Sequence, residues 1–203
     1  MKHEYGGVEY EGGDFYCYPN STVLVNKLNI RENEKLQEAE RKISYAKIID
    51  LGANPINGEF DLKYLQAIHK YIFEDIYSWA GNVRGGKFFS KGKTTFCMAD
   101  MIPAYATGIF DGLKQEKWLK EVERNVFIER VAYYMGEVNA LHPFREGNGR
   151  TQRIFFAELA RRAKYELNFS QVKPEELLNA DIAAYYKDYS PLMVLLDKML
   201  GVI

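Results

Sequence analysis

The strongest constraint on the fold of this chain is an apolar helical face that runs directly towards a proline. Between Arg124 and Leu141, large apolar residues recur in steps of four, three, four and three, at Phe127, Val131, Tyr134, Val138 and Leu141. This spacing predicts a helix with one buried face. Pro143 disfavours the α conformation in the residue before it, so we expect the helix to end near His142 and a loop to follow.

Five other segments have helical apolar spacing, namely residues 26–55, 61–73, 101–119, 150–165 and 174–200. We expect Gly52 through Pro55 to end the first of these helices and Asp61 to be the N-cap of the second. Residues 86–97 differ, because Phe88-Phe89 and Thr94-Thr95-Phe96 flank Ser90-Lys-Gly-Lys, which predicts a short β-hairpin. Residues 1–20 are rich in Gly and Tyr without a period and indicate an irregular arm. We therefore predict one mainly all-α domain over residues 1–203 with a single β-hairpin.

The composition excludes several classes of function. With 27 basic and 28 acidic residues the net charge is −1, so we expect no direct nucleic-acid binding and no attraction to an anionic membrane. Cys17 and Cys97 have no CxxC spacing and there are three histidines, which argues against a disulfide scaffold or a multi-histidine metal centre. The N-terminus is charged and glycine-rich, unlike a signal peptide, and predicts a cytoplasmic protein or one delivered into another cell.

The loop after the buried helix has the features of a phosphate site. Its sequence, HPFREGNGRTQR, covers residues 142–153, and Gly147-Asn148-Gly149 precede a helix that we expect to open near Arg150. The N-terminus of a helix presents free N–H groups, and glycine lets the backbone approach a ligand closely. Arg150 and Arg153 are three residues apart, hence on one helical face, and would add two guanidinium groups.

Three other residues of this loop have predicted roles. Glu146 lies among cations, and a Mg²⁺ ion between its carboxylate and bound phosphates would explain its position. His142 would act as a general base, and apolar Phe144 would anchor the loop in the core. The alternative is a charged turn with a capping histidine. Two arginines at the positive end of a helix are unfavourable without a bound anion, which favours the phosphate site.

HPFREGNGRTQR resembles the signature motif of the Fic family, His-x-Phe-x-(Asp/Glu)-Gly-Asn-Gly-Arg-x-x-Arg, at every defined position. Residues 65–84, LQAIHKYIFEDIYSWAGNVR, are similar to the helix and Tyr-x-Trp-Ala-Gly-x-x-Arg stretch that precede the hairpin of that family. The resemblance covers about residues 20–200. It implies the Fic fold, a helical bundle in which the hairpin of residues 86–97 is called the flap.

The resemblance implies protein adenylylation, in which AMP passes from ATP to a hydroxyl side chain of a target protein and pyrophosphate is released. By position, it implies a general base at His142, a Mg²⁺ ligand at Glu146, an anion hole at Gly147, Asn148 and Gly149, and ligands of the β- and γ-phosphates at Arg150 and Arg153. The flap would pair with the target backbone at Ser90 and Lys91; the alternative there is a solvated turn. Tyr185 and Tyr186 are candidates to border the adenine, and His69 is interpreted as structural.

The resemblance also bears on regulation. Many Fic enzymes are inhibited by a helix with Ser/Thr-x-x-x-Glu-Gly/Asn, whose glutamate pairs with the second arginine of the motif, here Arg153. No Ser or Thr of this sequence has Glu four residues later. We therefore expect a small antitoxin protein to supply a glutamate to Arg153. Two alternatives to AMP transfer stay open: phosphate transfer, as in family members with an altered motif, and a catalytically silent nucleotide-binding module.

Overall fold

The structure is a computed structural model that describes residues 8–10, 15–86, 89–91 and 94–202. Its helices are α1 Asn33–Ala53, α2 Leu62–Phe73, α3 Ile102–Gln115, α4 Arg124–Leu141, α5 Asn148–Arg162, α6 Pro174–Tyr185 and α7 Ser190–Met199. Its short strands are β1 Val8–Tyr10, β2 Phe89–Lys91, β3 Thr94–Thr95, β4 Tyr165–Leu167 and β5 Leu200–Val202. The prediction of a mainly α-helical chain with a small β-hairpin is confirmed. No helix in these ranges is long and apolar enough to cross a bilayer.

The strands form more sheet than the sequence predicted. The hairpin β2–β3 is present, with Ser90 opposite Thr95 and Lys91 opposite Thr94, although Phe88 and residues 87, 92 and 93 lie outside the described residues. The arm that we expected to be irregular contains β1, which pairs antiparallel with β2 in a three-stranded sheet of order β1-β2-β3. Of the rest of the arm, residues 1–7 and 11–14 are not described. A second sheet, β4–β5, was not predicted at all.

Three helix boundaries differ from the sequence prediction. Helix α1 begins at Asn33, because the residues before it form a turn held by the Asn26 side chain. The Asn26 amide nitrogen donates to the carbonyls of Leu24 and Ile30, and its amide oxygen accepts the Ile30 N–H. Helix α3 ends at Gln115, before a left-handed turn at Lys117–Leu119. The last predicted helix is two helices, α6 and α7, because Lys187 has a φ of 69° and breaks the helical path. The predicted N-cap of α2 is correct, since the Asp61 carboxylate accepts the Tyr64 N–H at 2.8 Å.

The chain divides into two compact units, and the prediction of a single domain stays a prediction. The first unit contains the described residues up to Glu59, with Gln66–Ile102 and Pro143–Gly147. Its core is aromatic: Trp79 stacks on Tyr77 at 4.3 Å between ring centroids, and His69 stacks on Phe144 at 3.9 Å. The motif loop of residues 143–147 therefore belongs to the same packed unit as the end of α2.

The second unit is built around α4 and contains Phe60–Leu65, Pro103–His142 and the chain from Asn148 onward. Helix α4 packs against α5, α6 and α7, and it is buried on more than the one face that its apolar spacing predicted. Gly136 allows this, because a Cβ there would lie 2.7 Å from a ring carbon of Tyr189. Buried Glu137 accepts hydrogen bonds from Tyr105, Lys187 and Tyr189.

Candidate functional site

His142 ends helix α4 in a left-handed conformation. Its φ and ψ are 43° and 60°, and its N–H donates to the carbonyl of Val138 at 3.1 Å. A residue other than glycine seldom adopts this conformation, and here it turns the chain sharply into Pro143. The helix thus stops where Pro143 predicted. His142 is thereby held at a helix end with only 7% of its surface exposed.

The loop from Pro143 to Gly147 is held by backbone and core contacts within its own unit. The Pro143 carbonyl accepts the Arg84 N–H at 2.8 Å. Phe144 is fully buried and stacks on His69. This is the anchoring position that the sequence predicted for Phe144. One Glu146 carboxylate oxygen accepts the Gly147 N–H at 2.9 Å, which fixes the rotamer of a half-buried side chain.

Arg145, for which the sequence suggested no role, is almost completely buried. Its guanidinium lies 6.0 Å from the ring centroid of Phe89, and that of Arg84 lies 4.8 Å from the same centroid. Arg84 also donates a hydrogen bond to the Cys97 carbonyl. Phe89 belongs to β2, so two cation–π contacts tie the motif loop and the Trp-Ala-Gly segment to the flap.

Helix α5 begins at Asn148, two residues earlier than predicted, so Asn148 and Gly149 lie in its first turn. That first turn contains no acidic residue. A Cβ on Gly149 would lie 3.3 Å from Nη1 of Arg153, so the Arg153 guanidinium folds back beside the helix start. Backbone N–H groups and a guanidinium are thereby concentrated at the positive end of a helix, an arrangement suited to an anion.

The electrostatics of Arg153 involve a residue that the sequence did not indicate, Asp181 of α6. Burial lowers the pKa of Arg153, the charge of Arg150 lowers it further, and Asp181 raises it. Burial raises the pKa of the Asp181 carboxyl to about 7, although the positive charge of Arg153 opposes this shift. Its Oδ1 is buried, and no hydrogen-bond donor among the described residues reaches it.

The raised pKa of Asp181 predicts a pH-dependent stability. An unfolded Asp loses its proton near pH 4 whereas folded Asp181 keeps it until about pH 7, so folding becomes less favourable as the pH rises between these values. We expect Asp181→Asn to raise the free energy of unfolding by about 4 kcal/mol at pH 8 and to have little effect at pH 4. Urea unfolding at both pH values measures this. Asp111→Asn, at an exposed position of α3, is the control, and equal effects of the two substitutions would contradict the prediction.

Glu146 is a suitable ligand for the predicted Mg²⁺ ion. Its carboxylate offers hard oxygen donors, is half-buried and is oriented by the Gly147 N–H. No cluster of three or more His, Cys, Asp or Glu side chains that could hold a metal occurs within the described parts of the chain. Mg²⁺ commonly binds through one or two carboxylates together with substrate phosphates and water, so a single glutamate fits it.

The predicted target-docking residues of the flap lie in the central strand of a sheet. Phe89 points inward and is fully buried, whereas Ser90 is half-buried and Lys91 exposed. Because β1 and β3 pair with β2 on its two sides, the backbone of Ser90 and Lys91 already has strand neighbours. A target segment would have to add at an outer strand or displace β1. Tyr185 and Tyr186 form an edge-to-face pair with Tyr186 largely exposed, and their predicted contact with adenine stays a prediction.

Comparison with known proteins bears on the family. The model of the Fic/DOC family matches residues 59–160. The chain belongs to the Fic/DOC family. The predicted Fic family membership is thus confirmed.

Two named relatives cover most of the chain. Protein adenylyltransferase VbhT of Bartonella schoenbuchensis is 41% identical over 179 residues, which are 88% of this chain and 37% of that protein. The protein named "Probable protein adenylyltransferase Fic" of Escherichia coli is 33% identical over 192 residues, which are 94% of either chain. The chain thus spans about a third of the first relative and nearly all of the second.

Solved structures confirm the predicted Fic fold. The N-terminal Fic domain of a VirB-translocated Bep effector protein from Bartonella quintana, with bound ADP, has a TM-score of 0.87 and 29% identity, covering 92% of this chain and 94% of that one. BepC of Bartonella tribocorum, with bound AMPPNP, has a TM-score of 0.86 and 26% identity, covering 93% and 97%.

Proposed function

We propose that this Fic chain transfers AMP from ATP to a hydroxyl side chain (Tyr, Thr or Ser) of a target protein and releases pyrophosphate. Relatives at 33–41% identity, named protein adenylyltransferase or probable protein adenylyltransferase, support this enzyme class. The observation that carries the proposal is the start of α5 at Asn148, with the Arg153 guanidinium beside Gly149. That arrangement suits a polyphosphate, and ATP is the polyphosphate that such an enzyme requires.

Each residue of the motif has a proposed role. His142 takes the proton of the target hydroxyl, and the N–H groups from Gly147 to Gly149 hold the α-phosphate. Arg150 and Arg153 hold the β- and γ-phosphates. Glu146 is the protein ligand of Mg²⁺, which supplies charge neutralisation of the phosphates when it is bound. Such a site lowers the barrier mainly by positioning and by electrostatic stabilisation.

The mutual repulsion of the two arginines supports a polyanionic ligand. Arg150 and Arg153 lie in the first two turns of α5, at the positive end of the helix dipole, and the charge of Arg150 lowers the pKa of Arg153. Bound phosphates would offset both unfavourable effects. A solvated turn would gain nothing from placing two cations there.

Labelling with two forms of ATP tests the proposal. With [α-³²P]ATP and MgCl₂ we expect label in a target protein or in the chain itself, and with [γ-³²P]ATP we expect none. Label from [γ-³²P]ATP only would establish the alternative function, that of a Fic-type phosphotransferase. No label from either form, in a bacterial lysate that supplies targets, would indicate a silent nucleotide-binding module.

We further propose that the target binds along the flap as an added strand. The exposure of Lys91 and the pairing of β2 on both sides favour the outer edge of β3, at Thr94–Thr95, or displacement of β1. Main-chain hydrogen bonds of this kind tolerate many target sequences. Thr95→Pro would remove one backbone donor of β3. It should reduce modification of a target in the lysate more than binding of ATP.

The regulatory partner that we propose is a small antitoxin protein that places a glutamate against Arg153. In this proposal the chain is the toxin of a toxin–antitoxin pair in a bacterial cytoplasm, or the catalytic part of an effector delivered into another cell. The half-buried Arg153, already close to the carboxylate of Asp181, would accept a second carboxylate at the place of the γ-phosphate. Undiminished self-labelling when the candidate antitoxin is added in excess would contradict this proposal.

A further inference from the structure

His69 lies inside the first unit, where its side chain is completely buried. The sequence suggested a structural residue with no acidic or glycine partners nearby. The fold corrects this, because it brings the ring against two backbone groups that are distant in sequence. One belongs to the Trp-Ala-Gly turn at Gly81, and the other to Glu146 in the motif loop.

The two contacts determine the tautomer of the ring. The Gly81 N–H donates to Nδ1 at 2.8 Å, so Nδ1 carries no proton. Nε2 lies 3.0 Å from the carbonyl oxygen of Glu146 and therefore carries the proton and donates it. A neutral imidazole with its proton on Nε2 satisfies both partners at once.

The same ring holds the motif loop through packing. His69 and Phe144 are stacked at 3.9 Å between centroids, with 14° between their planes. The loop is thus fixed on either side of Arg145, by a ring stack at Phe144 and by a hydrogen bond at Glu146. Gly81 is itself held, because its carbonyl accepts a hydrogen bond from the Gln66 side chain at 2.8 Å.

We infer that His69 is a positioning residue for the metal-binding carboxylate: its Nε2–H fixes the Glu146 backbone, and thereby aims the Glu146 side chain. The inference rests on the proposed role of Glu146 as Mg²⁺ ligand. The Glu146 carboxylate is bonded to the next N–H, that of Gly147, so its direction follows the peptide plane that His69 holds. Loss of a group that orients a metal ligand through a hydrogen bond typically lowers the metal affinity by roughly 10–100-fold.

A matched pair of substitutions separates the hydrogen bond from the ring. His69→Gln keeps a donor near the position of Nε2, whereas His69→Met has similar length and no donor. Both lose the stack on Phe144. Tyr77→Phe serves as the control for a buried hydrogen bond lost elsewhere in the same unit, because Tyr77 is buried and its hydroxyl donates to Glu40.

Mn²⁺ binding in the presence of AMPPNP, followed by the electron paramagnetic resonance signal of free Mn²⁺, is the readout. We expect His69→Met to weaken Mn²⁺ binding by roughly 10–100-fold, and His69→Gln and Tyr77→Phe to stay within about threefold of the wild type. Equal losses in the Gln and Met variants, or a loss in Tyr77→Phe as large as in His69→Met, would overturn the inference. A wild-type chain that binds Mn²⁺ with AMPPNP but transfers no AMP would instead contradict the proposed function alone.

Discussion

Replacing His142 with asparagine should lower the rate of AMP transfer by roughly 10²–10⁴-fold, the usual contribution of a general base. Asn tolerates the left-handed conformation that His142 adopts at the end of α4, so the turn into Pro143 should survive. We therefore expect the midpoint of thermal unfolding to stay close to that of the wild type. Initial rates with [α-³²P]ATP at saturating ATP measure the chemical step.

His142→Ala is the second variant of the same experiment. It also removes the imidazole, and it places a residue with poor tolerance for positive φ at 43°. We expect the same loss of rate together with a lower stability, since a left-handed residue without a compensating side chain costs about 1–2 kcal/mol. If His142→Asn retained more than about a tenth of the wild-type rate, the role of general base would be wrong.

The candidate site could be proposed from the sequence because its residues are consecutive. Proline and the glycines have strong local conformational preferences, and a helix start beside two arginines is recognisable without tertiary information. Phe144 is a lone apolar residue in a polar run, and it is buried as that pattern predicts. All of these features depend on residues that are neighbours in the sequence.

The residues that sequence reasoning missed act across long separations. His69 is 77 positions from the carbonyl that it binds, and nothing in the spacing of α2 distinguishes it from an ordinary core residue. Asp181 looks like a solvated helix residue, and its burial beside Arg153 follows only from how α6 packs. The signal in the sequence for His69 was a histidine at a position of α2 where a buried aromatic residue would be expected, in a segment followed by Trp-Ala-Gly.

The errors in the fold prediction also arise from contacts and conformations that the sequence pattern does not reveal. Strand β4 and strand β5 are three residues each and lie directly after helices, so their periodicity is too short to separate from a helix end. The break between α6 and α7 depends on Lys187 in a left-handed conformation and on Asp188, whose carboxylate accepts the Ser190 N–H at 3.1 Å. Lysine is not a residue whose presence indicates positive φ.

The second large effect is expected for Gly147→Ala, which should destabilise the protein by about 2–5 kcal/mol through left-handed strain and overpacking together. Gly147 has a φ of +82°, and a Cβ there would lie 2.3 Å from Cε2 and 2.4 Å from Cζ of Phe73. Phe73 is completely buried, so its ring has no solvent into which to move. The loop would have to shift, and with it the Glu146 carboxylate that bonds the Gly147 N–H.

Two companion variants identify the cause of the Gly147→Ala effect. Gly108→Ala in the middle of α3, where nothing lies within 4 Å of the new methyl group, should stabilise the protein by about 0.5–1 kcal/mol. Adding Phe73→Leu to Gly147→Ala removes the ring contact but leaves the positive φ, so we expect partial recovery of AMP transfer per folded molecule relative to Gly147→Ala alone. Urea unfolding and AMP transfer are measured on all four chains. If Gly147→Ala had the same urea midpoint of unfolding as the wild type, the close packing of Gly147 on Phe73 would be wrong. The proposed positioning of the Glu146 carboxylate would then rest on His69 alone.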